Sequence, residues 1–201
     1  HYLVYCIPQP FFIEDAAITF AYAKHLVEGH GLVTYPGGER VEGYSNATWT
    51  LLMAGIYATG LPMWTGSKVL GWLLGLLTLP LAWSLTRRAL PNHPEWTIDR
   101  GTLALLTPLF MAAYLPFALW NASGLENSLF VFLLTWGLAR LIKEVEDGGR
   151  PWSALIFAVL CMSRPDGIMY ATIAAFARLL AVFSPMGEES HRSLGRRLAT
   201  L

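Results

Sequence analysis

Charge is what this sequence has least of. Only 14% of its 201 residues are charged, against 54% that are hydrophobic, whereas a soluble domain carries about 25% charged residues. The composition therefore argues against an ordinary water-soluble domain. Neither sign is in excess: 14 Lys and Arg balance 14 Asp and Glu. With basic residues only in short clusters, a nucleic-acid binder held by phosphate contacts is excluded. Cysteine is nearly missing. Cys6 and Cys161 stand among apolar neighbours and make neither a disulfide framework nor a metal cluster, so they carry no information on redox compartment. His25 and His30 have no third ligand at metal-binding spacing,.

What is present is a set of long uncharged runs. Gly101 to Leu125 holds no Asp, Glu, Lys or Arg, and neither do Val69 to Thr86 or Asn127 to Ala139. A hydrocarbon core of about 30 Å needs roughly 20 such residues in a helix, so the expectation is an all-α integral membrane protein. Its spans are placed at 68–86, 101–120 and 125–143. His1 to Ile13 is apolar but short; without an initiator Met or a basic leader it reads as the outer end of a first span rather than as a signal peptide. Pro151 to Leu180 is interrupted by Arg164, Asp166 and Arg178. Trp152 to Met162 supplies only about 16 Å of helix before Ser163-Arg164-Pro165-Asp166-Gly167, so 152–183 reads as a broken span or a hairpin, with the hairpin preferred.

Basic residues orient these spans. Arg87-Arg88, then Arg140, Lys143 and Arg150, then Arg192, Arg196 and Arg197 follow or flank span ends and belong to the cytoplasm under the positive-inside rule. Glu14 to Asn46 has five acidic residues against Lys24 and Arg40 and belongs outside. If Ala47 to Leu61 crossed the bilayer, Arg87-Arg88 would be put outside. It is therefore expected to lie at the outer interface, anchored by Trp49, Tyr57 and Trp64. The loop 14–67 thus carries two interfacial helices. In the first, from Ala16 to Glu28, Asp15 is the expected N-cap, Gly29 the stop, and Ala16, Phe20, Ala23 and Val27 the apolar stripe.

The outer loop also carries a recognisable order of motifs. Glu14-Asp15-Ala16-Ala17-Ile18-Thr19-Phe20-Ala21-Tyr22-Ala23, Glu28-Gly29-His30-Gly31-Leu32-Val33, and Pro36-Gly37-Gly38-Glu39-Arg40-Val41-Glu42-Gly43-Tyr44-Ser45-Asn46 followed by Trp49-Thr50-Leu51-Leu52 resemble the first periplasmic loop of a GT-C glycosyltransferase family. That family includes the mycobacterial terminal arabinofuranosyltransferases, which use decaprenyl-phosphate arabinose, and the related flagellar motor control membrane proteins. Ser123-Gly124-Leu125-Glu126 and Arg164-Pro165-Asp166-Gly167 fit the same pattern. The resemblance covers nearly the whole chain, but only the N-terminal part of such an enzyme. It departs from the family at Ala21, where Arg is frequent, and at Glu14, where many members have Asp.

The resemblance implies a GT-C-like helix bundle in a bacterial inner membrane, its active site facing the exterior. There a sugar would pass from a polyprenyl-phosphate donor to a cell-envelope glycan or other acceptor. An acceptor hydroxyl gains from a carboxylate that takes its proton. Asp15 is the expected acidic catalytic residue, with Glu14 supporting; the competing reading of Asp15 is a helix cap alone. The phosphate leaving group needs cations or N–H donors, for which Arg164 is the first candidate and Arg40 and Lys24 are alternatives. Arg164 is equally readable as the ion-pair partner of Asp166 or as snorkelling to an interface, and Arg40 and Lys24 as solvated charges. Glu42, Tyr44, Asn46 and Trp49 suit a sugar-facing wall, or else a turn cap and interface anchors, and Glu126 either lines the cavity or caps its helix. Two glycosylation sequons, at Asn46 and Asn121, are matches short enough to arise by chance. No cofactor is called for, though a divalent cation is compatible. The alternative function is a non-catalytic assembly or motor-control protein on the same scaffold, or a transporter; the latter would show paired broken helices, and the sequence shows one.

Overall fold

A computed structural model describes residues 13–41, 43–91, 97–147 and 149–183. Residues 1–12, Glu42 and the terminal arginines Arg192, Arg196 and Arg197 lie outside the described residues. Every regular element among those described is an α-helix: α1 Asp15–Val27, α2 Ala47–Ala58, α3 Met63–Ala89, α4 Arg100–Ala104, α5 Leu106–Ala113, α6 Leu115–Asn121, α7 Asn127–Asp147, α8 Trp152–Ser163 and α9 Gly167–Phe183.

Asp15 is the first residue of α1 and not its cap. Glu14 already has helical angles (φ −51, ψ −36) and no side chain caps the helix, so the start moves back by one residue. The expected stripe also shifts. Ala16 and Ala23 are buried, but Tyr22 is fully buried while Val27 is 41% exposed. The helix ends where expected, at Gly29, whose φ of 83° suits glycine,.

Among the described residues, α3 is the one continuous helix long and apolar enough to cross a membrane. It is uncharged from Val69 to Thr86, and Arg87 and Arg88 close it at the negative end of the helix dipole,. The expected single span 101–120 is instead broken. Arg100–Ala113 and Leu115–Asn121 pass the same test only together, bent by 63° at Tyr114. Proline explains the break: Pro116 offers no N–H to the carbonyl of Ala112 and Pro108 none to that of Ala104, so the helix interrupts at Tyr114 and at Leu105,. The expected span 125–143 becomes α7, whose last two turns carry Arg140, Lys143, Glu144, Glu146 and Asp147; at 21 residues it is long enough for a span but is not among the helices apolar enough to cross a membrane.

Helix α7 is central, with α3 on one side, α8 on another, and α9 also against it; α1 packs on α2, which reaches α3 and α8. The shared core contains Trp49, Met53, Leu74, Leu129, Leu133, Ile156, Phe157 and Leu160. Close approach of α6 to α3 depends on two glycines four apart. A side chain at Gly71 would collide with the carbonyl of Asn121, and one at Gly75 would stand 2.5 Å from Asn121 Nδ2,. Helices α8 and α9 fold back on each other: Ser153 and Arg178 share one end of a cavity lined by both helices, and Cys161 and Ala171 lie farther along it. The outer surface remains apolar, with Phe110 72% exposed and Leu73, Leu109, Ile168, Ile173 and Phe176 each more than half exposed.

Candidate functional site

Three stretches far apart in sequence meet at one end of α7. The first is the entry to α2. Asn46 is buried, and its Nδ2 donates to Thr19 Oγ1 on α1 (3.0 Å) and to Glu126 Oε2 (2.8 Å), while its Oδ1 accepts from Thr50 Oγ1 (3.1 Å). One turn on, Trp49 is fully buried and its indole N–H donates to the Gly124 carbonyl at 3.0 Å. That bond corrects its reading as an interface anchor: the ring is enclosed against the second stretch and faces neither lipid nor a cavity.

The second stretch is the turn Ser123–Glu126 between α6 and α7. Gly124, at φ 85°, makes the reversal that a side chain would strain,. Ser123 Oγ accepts from Leu125 N at 3.2 Å and donates to the Trp120 carbonyl at 2.8 Å. The turn holds Glu126 in the interior, 7% exposed.

The third stretch is the break between α8 and α9. Pro165 disfavours helical geometry in the residue before it, and Arg164 is extended (φ −160, ψ 148). Its guanidinium therefore leaves the helix line. Nη1 donates to Glu126 Oε1 (3.2 Å) and Asn127 Oδ1 (2.9 Å), Nη2 donates to Asp166 Oδ2 (3.2 Å), and Cζ lies 5.6 Å from the Phe130 ring centroid. Gly167 is required by space, since a Cβ there would stand 2.5 Å from the Leu160 carbonyl oxygen.

A cavity of about 660 Å³ lies between the first and third stretches, lined by Gly43, Tyr44, Ser45, Ala47, Cys161, Met162, Pro165 and Ile168. Tyr22 fixes its loop wall: the phenol donates to the Val41 carbonyl (3.0 Å) and accepts from Gly43 N (3.1 Å), and the ring lies 4.8 Å from that of Tyr44. The first turn of α1 joins the same end, because Ile13 N donates to the Ser123 carbonyl at 3.4 Å. Glu14 and Asp15 are exposed there. Asp15 stands one helical turn before Thr19, on the same face as the residue that binds Asn46,.

Asn46, Trp49, Glu126, Arg164 and Asp166 are thus brought together, and Tyr44 lines the adjoining cavity. Lys24 and Arg40 are not. Lys24 pairs with Glu28 at 3.8 Å on the exposed face of α1; Tyr57 donates to the same carboxylate at 3.0 Å, and that bond holds the phenol above its usual range. Arg40 is exposed, and Glu42 lies outside the described residues. His25 is committed to the Val33 carbonyl at 3.0 Å, and no three His, Cys, Asp or Glu side chains among the described residues are grouped to hold a metal ion. Both sequon asparagines are buried, Asn46 at 6% and Asn121 at 4% exposure, which rules them out as glycan acceptors in this fold.

Sequence reasoning missed Thr19 and Asn127, and at the far end of α7 it missed a buried carboxylate. Glu144 accepts from Arg140 Nε (2.8 Å), Arg178 Nη1 (3.3 Å), Ser153 N (2.9 Å) and Ser153 Oγ (2.6 Å). The available signal was the four-residue spacing of Arg140 and Glu144,. Compared with known proteins, the chain matches no protein family, no curated sequence and no solved structure.

Proposed function

We propose that this chain is the N-terminal part of a multi-pass membrane glycosyltransferase of GT-C type. It would take an arabinofuranose-like sugar from a polyprenyl-phosphate donor and pass it to a cell-envelope glycan or other acceptor at the outer membrane face. The observation that carries this reading is the meeting of Asn46 and Trp49, Ser123 to Glu126, and Arg164 to Asp166 beside one cavity. Those segments are the ones whose motifs resemble the family. The apolar outer surface supports burial in lipid, because exposed apolar area on this scale is costly in water,.

In the proposed reaction the acceptor hydroxyl attacks the anomeric carbon, the bond from that carbon to the phosphate oxygen breaks, and Asp15 takes the hydroxyl proton. The departing phosphate carries the negative charge. Arg164 receives it by exchanging Asp166, whose side chain is 59% exposed and whose ion pair is correspondingly weak. Glu126 and Asn127 keep hold of the other side of the guanidinium. Tyr44 offers an aromatic wall to the sugar.

One observation favours a second reading, a non-catalytic assembly protein: Glu14 and Asp15 have no side-chain partner among the described residues to orient them. Sugar transfer from a polyprenyl-phosphate donor by the full chain separates the two. Asp15→Asn is expected to lower turnover by about 10² or more while insertion and folding persist. Near-normal transfer by that variant would remove Asp15 from catalysis, and no transfer by the wild type with any such donor would favour the assembly protein.

A further inference from the structure

The end of the bundle away from Arg164 holds a second concentration of arginine that glycosyl transfer does not use. Arg87 and Arg88 close α3, Arg100 opens α4, and with Trp83, Ser84 and Glu146 they line a cavity of about 390 Å³. Its walls are fastened. The Trp83 indole donates to the Gly101 carbonyl at 2.9 Å, tying α3 to α4, and Thr86 Oγ1 bonds Thr107 Oγ1 at 2.9 Å, tying α3 to α5. Arg87 lies over Trp83 with Cζ 5.4 Å from the ring centroid.

The charges do not cancel. Glu146 pairs with Arg88, whereas Arg87 and Arg100 have no ion-pair partner within 4.0 Å among the described residues. Asp99, which feels the charge of Arg87, accepts from Gly101 N, Thr102 N and Thr102 Oγ1 and forms no ion pair within 4.0 Å among the described residues. Three guanidinium groups thus face one carboxylate across a cavity with an aromatic wall. Guanidinium forks match carboxylate and phosphate oxygens bidentately, and a phosphate offers more oxygens to several guanidinium groups at once.

We propose that this cavity binds a phosphate oxyanion, presented either by an anionic lipid headgroup or by a soluble phosphate. The lipid source has a geometric argument in its favour. Arg87 and Arg88 terminate the one continuous helix among the described residues that is long and apolar enough to cross a bilayer, which is the level at which headgroup phosphates lie.

The test is titration of the purified full chain in neutral detergent, following its thermal unfolding. The probes are short-chain phosphatidylglycerol, inorganic phosphate, and short-chain diacylglycerol as a phosphate-free control. Saturable stabilisation by phosphatidylglycerol but not by inorganic phosphate supports the lipid headgroup; stabilisation by both supports a soluble phosphate. Arg87→Gln and Arg100→Gln should each weaken the apparent affinity by about tenfold, the loss of one charge-assisted contact. Arg100 is exposed and has no ion-pair partner among the described residues, so its variant keeps the fold. Lys143→Gln, at the same end of the bundle but outside the cavity, should change affinity by less than twofold. Absence of saturable binding, equal stabilisation by diacylglycerol, or an equal loss in Lys143→Gln would each overturn the proposal.

Discussion

The two ends of α7 each bury a glutamate against arginine, and they do so differently. Glu126 and Glu144 are separated by about 27 Å of helix at 1.5 Å per residue. Glu144, with a side chain 1% exposed, receives two arginines and both donors of Ser153, and Arg178 goes on to the Gly149 carbonyl at 3.3 Å. Every acceptor position on that carboxylate has a protein donor, and the cluster closes the corner where α7, α8 and α9 meet. Glu126 receives one arginine and one amide. Its arginine is 34% exposed and is shared with an exposed aspartate. A fully satisfied carboxylate is held rigidly, although Arg178 Nε is buried with no partner among the described residues; a shared arginine one-third exposed beside a cavity has capacity left for a ligand. The contrast makes Glu144 a structural corner and, under the proposed function, makes Glu126 the residue that positions Arg164.

The sharpest way to break that contrast is to delete each carboxylate. Glu144→Ala leaves Arg178, Arg140 and the Ser153 N–H facing one another without their acceptor in the interior. A loss of about 3–5 kcal/mol of stability is expected, the usual cost of unpairing a buried charge. Glu126→Ala should cost less than half as much, because Arg164 can turn to water and to Asp166. Chemical unfolding of both variants in the same detergent measures this, and equal losses would abolish the distinction.

Activity should sort in the opposite order. Glu126→Gln keeps the shape and the bond from Asn46 but releases Arg164, and transfer from a polyprenyl-phosphate sugar should fall by about tenfold or more with a small change in stability. Glu144→Gln should leave the turnover of the folded fraction near the wild-type value. A Glu144→Gln enzyme that is fully folded yet inactive would place chemistry at the wrong end.

These two ends were unequally legible in the sequence. At the Glu126 end the turn chemistry of Ser123-Gly124 and the helix break at Arg164-Pro165 are written in residue types, because proline and glycine act locally. What joins them is not local. The bond from Asn46 to Glu126 spans 80 positions and the one from Arg164 to Glu126 spans 38, and no periodicity encodes either. Trp49 shows the same gap: apolar and aromatic at an expected interface, it reads as an anchor until Gly124 is seen to receive its N–H. Glu144 sits in Lys143-Glu144-Val145-Glu146-Asp147, a run that looks like a solvated helix end, and only the return of α9 brings Arg178 over it. Pro108 and Pro116 were present to mark the breaks in α4 to α6, but an uncharged run long enough to span outweighed them.

A smaller effect sharpens the account of the cavity wall. A Cβ at Gly43 would stand 2.5 Å from Oη of the buried Tyr22, so Gly43→Ala should lose about 1 kcal/mol, the low end for overpacking because Gly43 itself is exposed,. In a Tyr22→Phe background the clashing oxygen is gone and the same substitution should cost well under half of that. A double-mutant cycle reads the coupling directly. Additive losses would mean that Tyr22 does not pin the loop.

The smallest effect belongs to Asp99, in the segment that leads into α4. The Thr102 hydroxyl first, then the backbone N–H groups of Gly101 and Thr102, and to a lesser degree Arg87, hold its carboxyl below the usual 3.8. As pH falls, the unfolded chain therefore takes up this proton before the folded one does, so acid favours unfolding at this position. The contribution is complete above the unfolded value and is lost as pH drops through the lower folded value. The stability difference between wild type and Asp99→Ala should accordingly be constant from pH 8 to about 5 and should shrink only below about 4. Because the carboxylate is exposed, solvent screening keeps the difference small at every pH. Thermal unfolding of the two proteins side by side at pH 7, 5, 4 and 3 measures it. A difference that grows on acidification, or one already gone at pH 6, would mean that Asp99 titrates as a raised acid, and that the arginines beside it are not free to attract a second anion.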